Sequence, residues 1–494
     1  MALTDAQFKA WLATTDKIIT ALVEVVARIS GVETTLYLSN RNFTTGAAET
    51  PASIAYNACI CGGLQFTEEL GLDGSPLVSY GDIELSNPDG RLDGYLDYVW
   101  KNRACSIYIG DPRWPRADFR KVFGGLVFDV AMRQPRVLNI QLTDKLQLLN
   151  VPLSETTLGG STQNKDRIIP VTLGEVHNVT PLLTDPGTRT YRFSDSASER
   201  VIEVRDNGKP ITTFTTGLST GSFTLTAEAS GAITCSVQGA KPGGTYSNNI
   251  STLIQHVALN YGPSATRMVS GDLDSTNLSA FASANTQAVG IYCSDRTNKL
   301  AVCQELAASV GAQLVCTTTG LLRLIKVALP ASGTPVSVGR ADMEWLNLYV
   351  SKRVPVKATA KLGYCKNWTT QPYGLAEGLA ASSVSAFATE YLTYTATDST
   401  TATTYKLDGQ PVQENTCLLT DADATAEAQR RRDLWKTPRS IYTARYFPHM
   451  MLTELGDPVT ITHDRYGLSG GKTGMVVRIN RNWLKARIDI GVLA

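Results

Sequence analysis

The chain has 494 residues, 18% of them charged, and a formal net charge of +1. At roughly 100–200 residues per domain, that length implies three or four domains rather than one core. The charge balance excludes a dedicated nucleic-acid surface, which needs a basic excess to meet phosphate.

Nine cysteines are scattered along the chain, with Cys59 and Cys61 the one close pair. The absence of a CxxC pair and the odd number argue against a zinc ribbon or a fully paired disulfide framework. Free, mostly buried thiols are the expectation. With no secretory signal and no run of 18 or more apolar residues, neither export by that route nor a membrane span is expected.

Residues 4–29 read as one amphipathic helix, capped by Thr4 or Asp5, with Phe8, Leu12, Ile18, Ile19, Leu22, Val23, Val26 and Ile29 at helical spacing. Its polar face mixes acid and base, so stable membrane association is not expected. From Thr34 to Leu153 the pattern turns to strands: 34–38, 58–66, 80–85, 105–109, 122–130 and 136–143, separated by Gly, Pro and Asp. Residues 166–246 form a Thr/Ser/Gly-rich β region. Its hairpin signal is Asp206-Asn207-Gly208, and 222–227 is expected to pair with 232–237.

The pattern over 247–335 is α/β. A helix capped by Ser247 or Asn248 carries Ile250, Leu253, Ile254 and Val257, and a second spans 298–310. A hairpin through Gly320 follows it. The last block reads as a long strand 354–364, further strands at 391–397 and 403–407, a helix at 421–435, and a strand at 441–447. Three short strands close the chain beyond Gly456-Asp457-Pro458. The cleanest alternates Leu484, Ala486, Ile488, Ile490 and Val492 against Lys485, Arg487 and Asp489.

The two β blocks echo each other. Gly81-Asp82 parallels Gly456-Asp457, and each is followed by a polar glycine-containing connection and two more strands. The first copy carries an insertion at about 88–120. Two copies of one β-module are inferred.

Candidate chemistry in the sequence is sparse. Gly467-Leu-Ser469-Gly-Gly471 spells a nucleophile elbow, but a strand rather than a helix follows the serine. Gly471-Lys472-Thr473 resembles the end of a phosphate loop, yet lacks both the first glycine and the helix. His177, His256, His449 and His463 have no metal-ligand spacing. His463 and Asp464 are read as strand neighbours pointing apart. Glu68-Glu69 reads as a solvated strand end, Asp421 and Asp423 as a helix N-terminus, and Arg430-Arg431-Arg432 as a solvated helix face. No catalytic, cofactor or metal residue is assigned.

Several segments resemble the tail proteins of long-tailed bacteriophages. They are Gly456-Asp-Pro-Val-Thr-Ile-Thr-His-Asp-Arg-Tyr-Gly467 with Gly471-Lys-Thr-Gly-Met-Val-Val-Arg-Ile479, then Phe123–Val130 with Asn139–Asp144, Ile169–Pro181 and Leu362–Trp368. The resemblance is to baseplate or tail-tip hub proteins and covers most of the chain beyond residue 30. It implies an α+β, mainly β fold: two related antiparallel β-barrel-like tube domains with smaller inserted domains and an N-terminal helix. The boundaries expected are 1–30 for the helix, 31–165 for the first tube-like domain, 166–246 for a small β domain, 247–335 for an α/β domain and 336–494 for the second tube-like domain.

The resemblance further implies a non-enzymatic homotrimer in the virion tail, assembled in the host bacterial cytoplasm. Its partners would be a tail tube or distal tail protein above and a fibre, spike or central tip protein below. Genomic DNA would only pass through. Two readings compete with it: a tail adhesin binding a host receptor or polysaccharide through 166–246, and a cell-wall hydrolase using Ser469.

Overall fold

The computed structural model describes residues 3–72, 80–407 and 411–494. The chain divides into two units. The first comprises Met1–Gln147, Val315–Pro355 and Pro438–Ala494, and the second comprises Leu148–Leu314 and Val356–Thr437. Among the described residues no helix is long and apolar enough to cross a membrane.

The first unit opens with helix α1 (Asp5–Ala13), closed by a capping box between Thr4 and Gln7 and burying Phe8 and Leu12. Its remaining secondary structure centres on one sheet of 15 strands among the described residues. In chain order these are β1 (Thr20–Ile29), β2 (Val32–Ser39), β3 (Phe43–Thr44), β4 (Ala55–Ala58), β5 (Ile60–Glu69), β6 (Tyr80–Ser86), β7 (Ala104–Gly110), β8 (Arg120–Gln134), β9 (Val137–Thr143), β10 (Val336–Val338), β11 (Tyr349–Val354), β12 (Arg439–Tyr446), β13 (Pro458–Ile461), β14 (Lys472–Asn482) and β15 (Arg487–Leu493). Their spatial order is β11-β12-β15-β14-β5-β6-β9-β8-β7-β1-β2-β4-β3, with β13 pairing β14 and β10.

That order contains a repeat. The path β5-β6-β9-β8-β7 and the path β11-β12-β15-β14-β13 run through their strands in the same sequence, and every pairing is antiparallel. The register agrees in detail. A bulge lies between Val127 and Asp129 of β8 and between Val476 and Arg478 of β14, with Leu142 and Val492 opposite the first residue of each pair. Ahead of β7 and β13, the amides of Asn102 and Gly456 bond the carbonyls of Val127 and Val476, and both residues have positive φ.

The repeat inferred from sequence is therefore present, but its alignment is corrected. Gly456-Asp457 matches Asn102-Arg103, not Gly81-Asp82, and β6 matches β12. The Gly-Asp spelling is shared by non-equivalent positions, one inside β6 and the other ahead of β13. The long insertion also moves. It is Val356–Thr437, placed between β11 and β12, rather than 88–120.

The second unit holds a five-stranded sheet in the order Lys209–Ile211, Ser198–Asp206, Ile233–Ala240, Val171–Val179, Gly290–Cys293. A four-stranded sheet (Leu182–Asp185, Thr190–Arg192, Ser222–Leu225, Phe214–Gly217) and a three-stranded sheet (Leu392–Thr397, Thr359–Tyr364, Gln413–Asn415) accompany it. Its helices are α2 (Ile250–Asn260), α3 (Ser275–Ala284), α4 (Lys299–Ala308), α5 (Ala381–Ala388), α6 (Ser399–Tyr405) and α7 (Asp421–Trp435). Asn249, Asn298 and Thr420 cap α2, α4 and α7 through side-chain oxygens. The Asn207-Gly208 hairpin forms as read, with φ positive at both residues.

The fold is mainly β with an N-terminal helix and several sheets, as expected. Five local expectations are corrected. The helix over 4–29 ends at Ala13. Residues 20–29 are instead strand β1, whose Ala21, Val23, Val25 and Ala27 are fully buried at period two. Apolar residues on both faces fit either period, and pairing with β2 and β7 decides it. The strand 354–364 is broken at Pro355 into pieces that join different sheets. Residues 399–405 are helix α6, capped by Asp398. Residues 222–225 and 233–240 do not pair with each other but enter separate sheets. Ser247 and Asn248 yield the cap of α2 to Asn249.

Because Val25 is registered against Leu36 on one side and Cys105 on the other, Val25→Pro will strand a buried ladder partner. We expect a loss of about 1–3 kcal/mol or more in urea unfolding. Unchanged stability would contradict β1 as an inner strand.

Candidate functional site

The geometry centres on the place where the two repeats meet. β14 is long enough to serve two neighbours on one edge. Its first half pairs with β13, and beyond Val477 the same edge pairs antiparallel with β5, from Arg478 opposite Glu69 to Asn482 opposite Gln65. The amide of Leu70 bonds the carbonyl of Val477 at 2.8 Å, and the amide of Trp483 bonds that of Leu64 at 3.1 Å. Two repeats of one chain thus share a continuous sheet.

A buried ion pair pins this junction. Arg481 Nη1 donates to Glu68 Oε1 at 2.7 Å, with side-chain exposures of 2% and 6%, and Nη2 donates to the carbonyl of Thr453. Burial pushes the Glu68 carboxyl above its usual range, against the pull of the Arg481 guanidinium. Beside it, Phe66 stacks on Phe123 at 4.7 Å between centroids. The absence of a side chain at Gly81 makes room, since a Cβ there would lie 2.3 Å from the Phe66 ring. Glu68 is therefore not the solvated strand end read from sequence. Its partner lies 413 residues away.

Ser469 is exposed in the loop before β14, and the strand after it leaves no elbow. Lys472 and Thr473 begin β14. Lys472 Nζ sits 5.4 Å from the centre of the Tyr442 ring, and Thr473 bonds Thr460 at 2.7 Å.

His463 lies just past the end of β13, so strand alternation does not apply to it, and its Nδ1 is 2.8 Å from Asp464 Oδ1. The ring is nevertheless buried, stacked on Trp345 at 3.8 Å, with Nε2 donating to the Trp345 carbonyl at 2.9 Å. His449 Nε2 is 3.0 Å from Asp342. In the second unit, His177 is 3.3 Å from Glu175 and His256 is partly buried on α2. Among the described residues no group of three or more His, Cys, Asp or Glu is placed to hold a metal.

Asp421 and Asp423 sit in the first turn of α7 as read, and Asp421 accepts from Tyr364 at 2.8 Å. The arginine run on α7 is corrected. Arg430 and Arg431 converge on buried Glu427, each at 2.7 Å, and Arg431 also reaches the Ala308 carbonyl at 2.6 Å. Burial alone would raise the Glu427 carboxyl, but Arg430 and Arg431 together hold it below the usual range.

No family model matches the chain, and no curated protein matches it. Solved structures to which it is similar over nearly its whole length include three tail proteins. It covers 97% of its own length and 98% of the 43 kDa tail protein of prophage MuSo2 from Shewanella oneidensis, at 12% identity and TM-score 0.41. For the tail protein from Neisseria meningitidis MC58 the figures are 96%, 96%, 9% and 0.38. For prophage tail protein gp18 from Listeria monocytogenes EGD-e they are 96%, 94%, 8% and 0.40. At these scores the likenesses assign no role to individual residues.

Removing one partner of the buried pair, by Glu68→Leu or Arg481→Met, should cost about 3–5 kcal/mol in denaturant unfolding, and the double variant should recover most of it. Additive losses would show that the pair is not coupled. A second expectation concerns acid. The depressed Glu427 carboxyl contributes stability above the ordinary carboxylate range, lost as pH falls through its folded value. Unfolding of Glu427→Gln at pH 6 and pH 3 should therefore show a smaller acid loss than the parent; an equal loss would contradict it.

Proposed function

We propose that the chain is a structural subunit of a bacteriophage tail: the baseplate or tail-tip hub, three copies of which form a ring of six modules. The observation that carries this is the five-strand repeat, two modules joined edge to edge by β5 and β14 within one chain. A ring of three copies with one module each presents three equivalent surfaces; with two it presents six. Six quasi-equivalent modules match a sixfold tail tube or distal tail protein above, while the true threefold suits a fibre, spike or central tip protein below.

In this reading the second unit is carried as two insertions, since its segments interrupt the chain of the first unit. Genomic DNA crosses the ring without stable binding, which the net charge of +1 favours. No catalytic step is required of any residue. The protein acts in the virion tail after assembly in the host cytoplasm.

Native mass measurement of the purified chain tests this. The expected species is three times the 53.3 kDa chain mass. A stable dimer, tetramer or hexamer, or a chain that stays monomeric at high concentration, would overturn it.

A further inference from the structure

The junction between the two repeats is a template, and the sheet holds a second, unfilled copy of each of its halves. β14 matches β8, and β5 matches β11. Past Val127, the edge of β8 that faced β7 has no strand beside it among the described residues. β11 ends the sheet, with its outer edge likewise unpaired.

We propose that β11 of one copy pairs antiparallel with residues 128–134 of β8 in a second copy, reproducing between chains the pairing of β5 with β14. The number of copies rests on the ring reading above; the pairing itself rests on the repeat.

The repeat fixes the register. Asp129, Val130 and Ala131 occupy the positions of Arg478, Ile479 and Asn480. Lys352 occupies that of Thr67, because Ile441 opposite the one and Tyr80 opposite the other face the equivalent residues Leu493 and Thr143. Counting on along each strand places Arg353 and Val354 at the positions of Glu68 and Glu69. The expected partners are then Asp129 with Val354, Val130 with Arg353, and Ala131 with Lys352.

Three further observations agree. The first is exposure. Val477 and Arg481 are each 1% exposed under β5, whereas their counterparts Phe128 and Met132 are 44% and 40% exposed. The second is charge. Within the chain, basic β14 (Arg478, Arg481) meets acidic β5 (Glu68, Glu69). Between copies the signs exchange: Asp129 on β8 meets Lys352 on β11, neither of which has an ion-pair partner among the described residues. Asp129 and Lys352 fall on one face as diagonal neighbours, within reach of a lysine.

The third is the edge itself. The Val130 amide, which in the template position bonds a strand, here bonds the Asp129 carboxylate at 2.9 Å. An acidic residue covering its own edge amide keeps a free strand from pairing indiscriminately. On assembly the Arg353 carbonyl takes that amide, and the released carboxylate turns to Lys352.

Ala131 and Lys352 fall at a position without mutual ladder bonds, where side chains approach closest. Mild oxidation of the full chain carrying Ala131→Cys and Lys352→Cys should give disulfide-linked dimers and trimers on non-reducing gels. Neither single variant should, which controls for exposed Cys61. Separately, Asp129→Lys should shift assembly about tenfold or more to higher protein concentration, and adding Lys352→Asp should restore it. A chain that forms three-copy rings without the cross-link and without the charge rescue overturns this interface and leaves the ring standing. A chain that remains monomeric under all conditions overturns both.

Discussion

The first unit depends on one interaction: the antiparallel pairing of β5 with the far half of β14. Without it the chain would hold two similar five-strand modules as separate sheets, each with an exposed edge. With it they share one sheet, and the buried Glu68–Arg481 pair sets the register at which they meet. A buried ion pair is a poor source of net stability beside a hydrophobic pair of the same size, but it penalises every misaligned alternative by leaving a charge unpaired. That suits a junction whose task is to fix one angle between two modules.

The same sheet explains why the second unit is discontinuous in sequence. Its two segments leave the first unit after β9 and after β11. An insertion of that size at a strand connection is tolerated when the flanking strands are held by other partners, as β11 is by β12. The shared sheet and the inserted unit can thus vary independently.

Much of the fold was legible from local pattern. The alternation at 138–142 and 488–492, the Asn207-Gly208 turn and the acidic first turn of α7 are short-range signals, and each reports its own structure, although Leu484 and Ala486, read into the last strand, lie in the turn before it. What failed was long-range. Residues 20–29 are apolar on both faces, so their period was ambiguous until β2 and β7 flanked them. Glu68 looked solvated because the guanidinium that buries it lies 413 residues on. Arg431 looked solvated because the Ala308 carbonyl it reaches is likewise remote. The repeat was visible, but its true markers, a bulge after Val127 and after Val476, are features of pairing rather than of spelling.

The central claim is that the five-strand modules, two per chain, are quasi-equivalent parts of one ring. A low-resolution end-on map of the assembled protein tests it most directly. The expected image is a closed ring with six similar lobes around the lumen and true threefold symmetry. A ring with three lobes, a different symmetry, or lumen walls built from the second unit would contradict it.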